Sequence, residues 1–160
     1  MQTRGWGSVT LCSFVLLIAE VALSADRLDD VAFPKLPKTA GKIDDDAPKA
    51  FQTTKSGLKY RILRKGTGAQ PTATDTVKVH YHGWLNNGTV FDSSYNRGQS
   101  ISFPLNGVIK GWTEGMQLVG QGGMLELEIP PGLAYGDRGA GSAVPPKATL
   151  HFVVELLNVQ

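Results

Sequence analysis

From Val77 to His82 the side chains alternate strictly, with Val77, Val79 and Tyr81 facing one way and Lys78, His80 and His82 the other. A strand points successive side chains to opposite faces, so this period of two describes a strand buried on one side and wet on the other. Asn86-Asn87-Gly88 follows directly, and Asn-Gly is a hairpin signal because both residues tolerate positive φ; the return strand starts at Thr89-Val90-Phe91. A shorter alternation runs from Leu58 to Leu63 and closes at the Gly66-Thr67-Gly68 turn. Leu125, Leu127 and Ile129 alternate with Glu126 and Glu128, and Leu150, Phe152, Val154 and Leu156 repeat the pattern near the end. These are antiparallel strands with one wet face.

Only one segment breaks the pattern. Ile109, Trp112, Met116 and Val119 recur at helical spacing between Gly107 and Gly120. One short helix then packs across one face of a twisted sheet, which makes the fold class α+β. Gly and Pro gather in Pro130-Pro131-Gly132 and again from Gly136 to Pro146, a long loop of the kind that commonly carries function.

The first 25 residues read differently. Arg4 is followed by an apolar run from Val9 to Leu23 and the small residues Ala22, Ser24 and Ala25, the layout of a secretory signal peptide cut near Ser24 or Ala25. Glu20 inside the run leaves an uncleaved membrane anchor as the alternative. The single Cys, Cys12, lies within this run, so the mature chain has none and suits an oxidising compartment, periplasmic or secreted. Residues 26–51 hold Pro34, Pro37 and Pro48 with six Asp and five Lys or Arg, and are expected to form a flexible, solvated linker. Asp44-Asp45-Asp46 lacks the spaced oxygens of a calcium loop. The folded domain is expected over 52–160.

A net charge of +2 with 19% charged residues gives no electrostatic reason to expect nucleic-acid or polybasic membrane binding. There is no Gly-x-Ser-x-Gly elbow and no phosphate-cradling Gly-Lys-Ser/Thr turn, and Gly120-Gln121-Gly122-Gly123 has the wrong spacing for a dinucleotide. Covalent and phosphoryl chemistry are therefore not expected. His80 and His82, two apart on one strand face, read as solvated residues in preference to metal ligands, with His151 as the only further candidate. Asn87-Gly88-Thr89 fits a glycan acceptor, but the hairpin turn accounts for it. By pattern alone Phe91, Trp112 and Phe152 belong equally to a core or to a pocket wall.

Five stretches in order decide between those two. Val79-His80-Tyr81-His82-Gly83, Gly88-Thr89-Val90-Phe91-Asp92-Ser93-Ser94, Val108-Ile109-Lys110-Gly111-Trp112, Ile129-Pro130-Pro131-Gly132-Leu133-Ala134-Tyr135-Gly136 and the closing Val144-Pro145-Pro146 with Leu150 to Leu156 together resemble the FKBP-type peptidyl-prolyl cis-trans isomerases. The resemblance begins near Ser56 and implies a single exported domain of bacterial type. Its fold would be a five- or six-stranded antiparallel sheet wrapped around one short helix, with an apolar pocket for a proline ring. It implies Trp112 as the floor, Tyr81, Phe91, Phe103 and Phe152 as aromatic walls, Val108 and Ile109 along one side with the Ile109 amide donating to substrate, and Tyr135 donating its hydroxyl to a substrate carbonyl. Asp92 would accept hydrogen bonds in a network with Tyr81 and Arg97. Catalysis would rest on Tyr135, Asp92 and Tyr81, with no cofactor and no metal. The implied partners are proline-containing unfolded or partly folded proteins, with macrolide inhibitors as further ligands; residues 26–51 lack the heptads of a dimerising helix, so a monomer is the expected working state. Ile101 stands where an aromatic residue is often found, and Gly139 to Ala143 are small where bulkier groups can sit. Both departures would widen the rim and bear on macrolide binding more than on catalysis. A non-catalytic chaperone or adaptor that grips proline-containing segments in the same groove is the alternative function.

Overall fold

The computed structural model describes residues 31–160; the expected signal segment and the start of the expected linker lie outside the described residues. Among these residues seven strands form an open, twisted antiparallel sheet: β1 Gln52–Thr53, β2 Lys59–Arg64, β3 Thr76–Leu85, β4 Val90–Ser93, β5 Ile101–Pro104, β6 Met124–Ile129 and β7 Leu150–Val159. Their spatial order is β1-β2-β6-β7-β3-β4, and β5 also pairs with β3. The strands beyond the expected five or six are short. β1 is two residues paired to β2, while β4 and β5 share one edge of β3, at residues 82–84 and 76–79.

The inner face follows the alternation. Val77, Val79, Leu125, Leu127, Leu150, Val154 and Leu156 are wholly buried in one cluster with Trp112 and Met116 of the helix α2, Lys110–Met116 among the described residues. α2 lies very close to the sheet because Gly111 and Gly115 face it: a Cβ at Gly111 would come within 2.4 Å of Ile129 Cγ2, and one at Gly115 within 2.8 Å of Leu127 Cδ2. The helix ends at Met116, earlier than the apolar spacing to Val119 predicts, although Val119 remains buried. A second helix, α1 over Ser94–Arg97, is one turn, begun by Ser93 whose hydroxyl accepts from the Asn96 N–H, and closed by Gly98 at φ 68°. One turn is too short to show a period, which is why it is absent from the expected elements. The β3–β4 connection is the loop Asn86–Thr89, in which Gly88 takes positive φ and Asn87 does not, so it is not the two-residue turn that Asn-Gly suggests.

The outer face departs from expectation. Instead of a free tether beside a wet surface, residues 31–51 lie across the outer side of the sheet. Phe33, Leu36, Ile43 and Trp84 pack against the buried Leu63, Met124 and Val153. Arg61 of β2, 0% exposed, donates to the carbonyls of Val31, Ala32 and Lys49 and to the Glu126 carboxylate at 2.7 Å. Its guanidinium also sits between the rings of Phe33 and Phe51, 4.9 and 4.6 Å from their centres. Apolar side chains without period, joined to a cation that seeks backbone carbonyls, hold this strap where composition suggests solvation.

Candidate active site

Between α2 and the inner sides of β3 and β7 the fold leaves a cleft of about 430 Å³. Trp112, 5% exposed in the first turn of α2, forms its floor. Tyr81 and Phe152 meet the indole edge-on with ring centres 5.3 and 5.1 Å away, and Phe103 of β5 tilts against it at 5.3 Å. Phe91 of β4 stands edge-on to Phe152 at 5.4 Å. Edge-to-face contacts suit the ring quadrupoles and fix each ring. Gly83 allows the last pair, since a Cβ there would lie 2.6 Å from Phe152 Cε1 and 2.8 Å from Phe91 Cζ.

Polar groups meet the cleft at few points. The Tyr81 hydroxyl donates to Asp92 Oδ2 at 2.5 Å; Arg97, at the end of α1, pairs with Asp92 Oδ1 and donates from Nη2 to the Tyr81 oxygen at 2.7 Å. Burial works against the Asp92 charge, yet the Tyr81 hydroxyl and the Arg97 guanidinium outweigh it and hold the carboxyl below its ordinary value. Burial, then the Asp92 carboxylate, push the Tyr81 hydroxyl up, so it stays a donor. Tyr135 lines the rim from the loop after β6, 43% exposed. The Ile109 N–H, just ahead of α2, meets no backbone acceptor among the described residues, and Trp112 Nε1 is buried without a partner among them. The cleft thus offers aromatic faces, one carboxylate held in its charged form, one exposed phenol and the Ile109 N–H.

Residues 67–157 match the family model of the FKBP-type peptidyl-prolyl cis-trans isomerases. This chain belongs to that family. The FKBP-type 22 kDa peptidyl-prolyl cis-trans isomerase of Escherichia coli is 51% identical over 118 residues, 73% of this chain and 57% of that protein. FkpA of Aeromonas hydrophila, an FKBP-type peptidyl-prolyl cis-trans isomerase, is 54% identical over 109 residues, 68% of this chain and 40% of the relative. The crystal structure of FkpA from Escherichia coli superposes with a TM-score of 0.67 at 48% identity, covering 69% of this chain and 51% of that one. The chain spans about half the length of the curated relatives it matches.

Of the ten residues expected at the FKBP site, nine line the cleft: Tyr81, Phe91, Asp92, Phe103, Val108, Ile109, Trp112, Tyr135 and Phe152. Arg97 does not line it and reaches it through Asp92 and Tyr81. Two lining residues lie outside those ten: Gly107, and Ile101, which the FKBP resemblance already set at the rim and which is 40% exposed. Of the two departures from the FKBP pattern only Ile101 is at the rim. The stretch 139–143 closes on itself through the Ala140–Val144 bridge and does not line the cleft. His80 and His82 point their Nδ1 atoms at Ser94 and Ser93, His151 Nε2 faces Asn86, and no metal-holding cluster of three or more such ligands occurs among the described residues.

Proposed function

We propose that this chain is an exported peptidyl-prolyl cis-trans isomerase that speeds rotation about X-Pro bonds in proteins folding outside the cytoplasm. The observation that carries the reading is the indole-floored cleft, whose walls are aromatic rings and whose polar groups stand at its edges. An X-Pro bond is held planar by amide resonance with a barrier of about 18–20 kcal/mol and turns over in tens to hundreds of seconds unaided. No bond breaks in the exchange. The transition state is a twisted amide that has lost much of its charge separation, so a water-poor aromatic hollow disfavours the planar polar form relative to it. A thousandfold acceleration requires about 4 kcal/mol. Desolvation, orientation and one or two fixed hydrogen bonds of about 0.5–1.5 kcal/mol each are sufficient for that.

Position in the cleft supports the following roles. Trp112 receives the proline ring, the Ile109 N–H and the Tyr135 hydroxyl donate to substrate carbonyls, and Asp92 fixes Tyr81 with the help of Arg97. Clients are unfolded or partly folded chains, where cis X-Pro bonds are populated and slow to convert. The apolar run from Val9 to Leu23 supports export, the signal being 1–25. The working unit is a monomer whose strap, 31–51, belongs with the sheet, and a macrolide would compete for the same cleft. The test is a protease-coupled or refolding assay on an X-Pro peptide with purified chain lacking 1–25. Acceleration that is lost in Trp112→Ala supports the reading. Binding of the peptide with no exchange between its isomers would make the protein a proline-segment adaptor instead.

A further inference from the structure

We infer that Tyr95 and Glu155 are positioning residues that hold the Asp92–Arg97 corner of the cleft from the outer face of the sheet, and that the strap reinforces this hold at Gly41. The inference rests on the reading of the cleft as an isomerase site. Asp92 precedes the cap of α1 and Arg97 ends it. A single helical turn is far below the roughly 12–15 residues at which a helix persists unaided, so side-chain anchors must fix where α1 sits.

Two such anchors exist, and both reach away from the cleft. Ser94 is wholly buried; its Oγ accepts from the Tyr81 N–H at 2.8 Å and meets His80 Nδ1 at 2.9 Å. Tyr95, 9% exposed, stacks on the His80 ring with centres 4.8 Å apart and donates its hydroxyl to Glu155 Oε1 on β7. Burial and the neighbouring carboxylate keep the Tyr95 hydroxyl protonated, so this bond has a fixed direction. Glu155 in turn receives Arg64 Nη2 at 2.7 Å and the Gly41 N–H at 2.9 Å. One buried carboxylate thereby joins α1, β2 and the strap. A Cβ at Gly41 would lie 2.0 Å from Arg64 Nη1 and 2.8 Å from Glu155 Oε2, so a side chain there must push aside the very ends of the two groups that make this junction. Tyr95 is two residues from Arg97 and three from Asp92, so releasing it lets the charged corner drift, and small misplacements are costly in catalysis.

The experiment is a double-mutant cycle on kcat/KM for an X-Pro peptide, with melting temperature measured alongside. Tyr95→Phe keeps the ring on His80 and removes only the bond to Glu155; it is expected to lower kcat/KM about fivefold. Gly41→Ala, far from the cleft, is expected to lower it in the same direction and to have no further effect once Tyr95 is Phe. In the Asp92→Asn background the Tyr95→Phe loss should shrink to within about twofold, because the corner it positions is already gone. A purely structural Tyr95 would lower melting temperature and multiply its loss with that of Asp92→Asn, and that result overturns the inference. An unchanged kcat/KM in Tyr95→Phe overturns it as well, and if that variant does not fold, Glu155→Gln carries the same cycle. The two levels separate cleanly: a large loss in Asp92→Asn with none in Tyr95→Phe removes only the positioning role, whereas no loss in Asp92→Asn removes the assignment of the corner itself.

Discussion

The two faces of one sheet are completed in different ways. On the inner face, β3, β7 and α2 leave an aromatic cleft whose floor is an indole with an N–H that has no partner among the described residues. On the outer face the chain covers itself: Arg61, Glu126 and Glu155 are buried beneath the strap, with their hydrogen bonds satisfied by carbonyls, carboxylates and a tyrosine. Apolar burial without direction suffices to build the first and leaves room for a ligand. The second needs matched donors and acceptors, because a buried charge is tolerated only when paired. A surface that binds and a surface that holds can therefore share the same strands.

The strongest perturbation of this contrast is Trp112→Ala. Removing the floor should cost about 3–5 kcal/mol of stability, since it leaves a cavity among Tyr81, Phe103 and Phe152, and should abolish isomerase activity in the folded fraction. Denaturant melts and the peptide assay read the two effects. The outer-face counterpart is Arg61→Leu, which strands the Glu126 carboxylate and three carbonyls; about 3–5 kcal/mol is expected for an uncompensated buried charge. Adding Glu126→Leu should restore part of that loss, because removing both members of a buried pair is far cheaper than removing one. A silent Arg61→Leu would mean that the strap is held without its clasp. Next in size is Gly83→Ala, which forces a methyl between Phe91 and Phe152 and should cost about 1–3 kcal/mol together with a fall in kcat/KM.

The inner face was legible because its physics is local and periodic. Val77, Val79 and Tyr81 announce a strand by alternation, Trp112 and Met116 a helix by spacing, and the ordered motifs place Tyr135 and Asp92 with them. The outer face had no such signature. Phe33, Leu36 and Ile43 follow no period among prolines and charges, and Arg61 looks like an ordinary wet residue of an alternating strand. What buries Arg61 is a set of backbone carbonyls, which no side-chain pattern records. α1 and β1 were hidden for a related reason: at four and two residues they are fixed by contacts with distant strands, not by their own composition.

Acid should distinguish the faces further. Burial holds His82 and His151, both on the outer face, below the ordinary 6.5, while Glu155, despite its burial, is held low by Tyr95, Arg64 and the Gly41 N–H. A group with a depressed folded pKa contributes stability above its unfolded value and loses it as pH falls. Melting temperature should thus be flat at neutral pH, decline below about 6.5 as the histidines take protons, and decline again below about 4.5 as Glu155 and then Asp92 of the inner face do, with Glu126, pushed up by burial, acting in the opposite sense. His82→Gln with His151→Gln should flatten the first decline and leave the second. A first decline that survives both substitutions would place the acid-sensitive groups elsewhere.

The smallest effect expected is that of Tyr135→Phe, and it bears most directly on the chemistry. Tyr135 is 43% exposed at the rim, so loss of its hydroxyl should change stability by no more than about 0.5 kcal/mol. If that hydroxyl donates to a substrate carbonyl as the amide twists, its removal takes away one neutral hydrogen bond, about 0.5–1.5 kcal/mol, or roughly two- to tenfold in kcat/KM. A bond made equally to the planar and twisted forms would raise KM and leave kcat intact, whereas one made mainly to the twisted form lowers kcat. The split between the two constants therefore decides whether the rim tyrosine grips proline segments, as a binder's would, or assists their rotation.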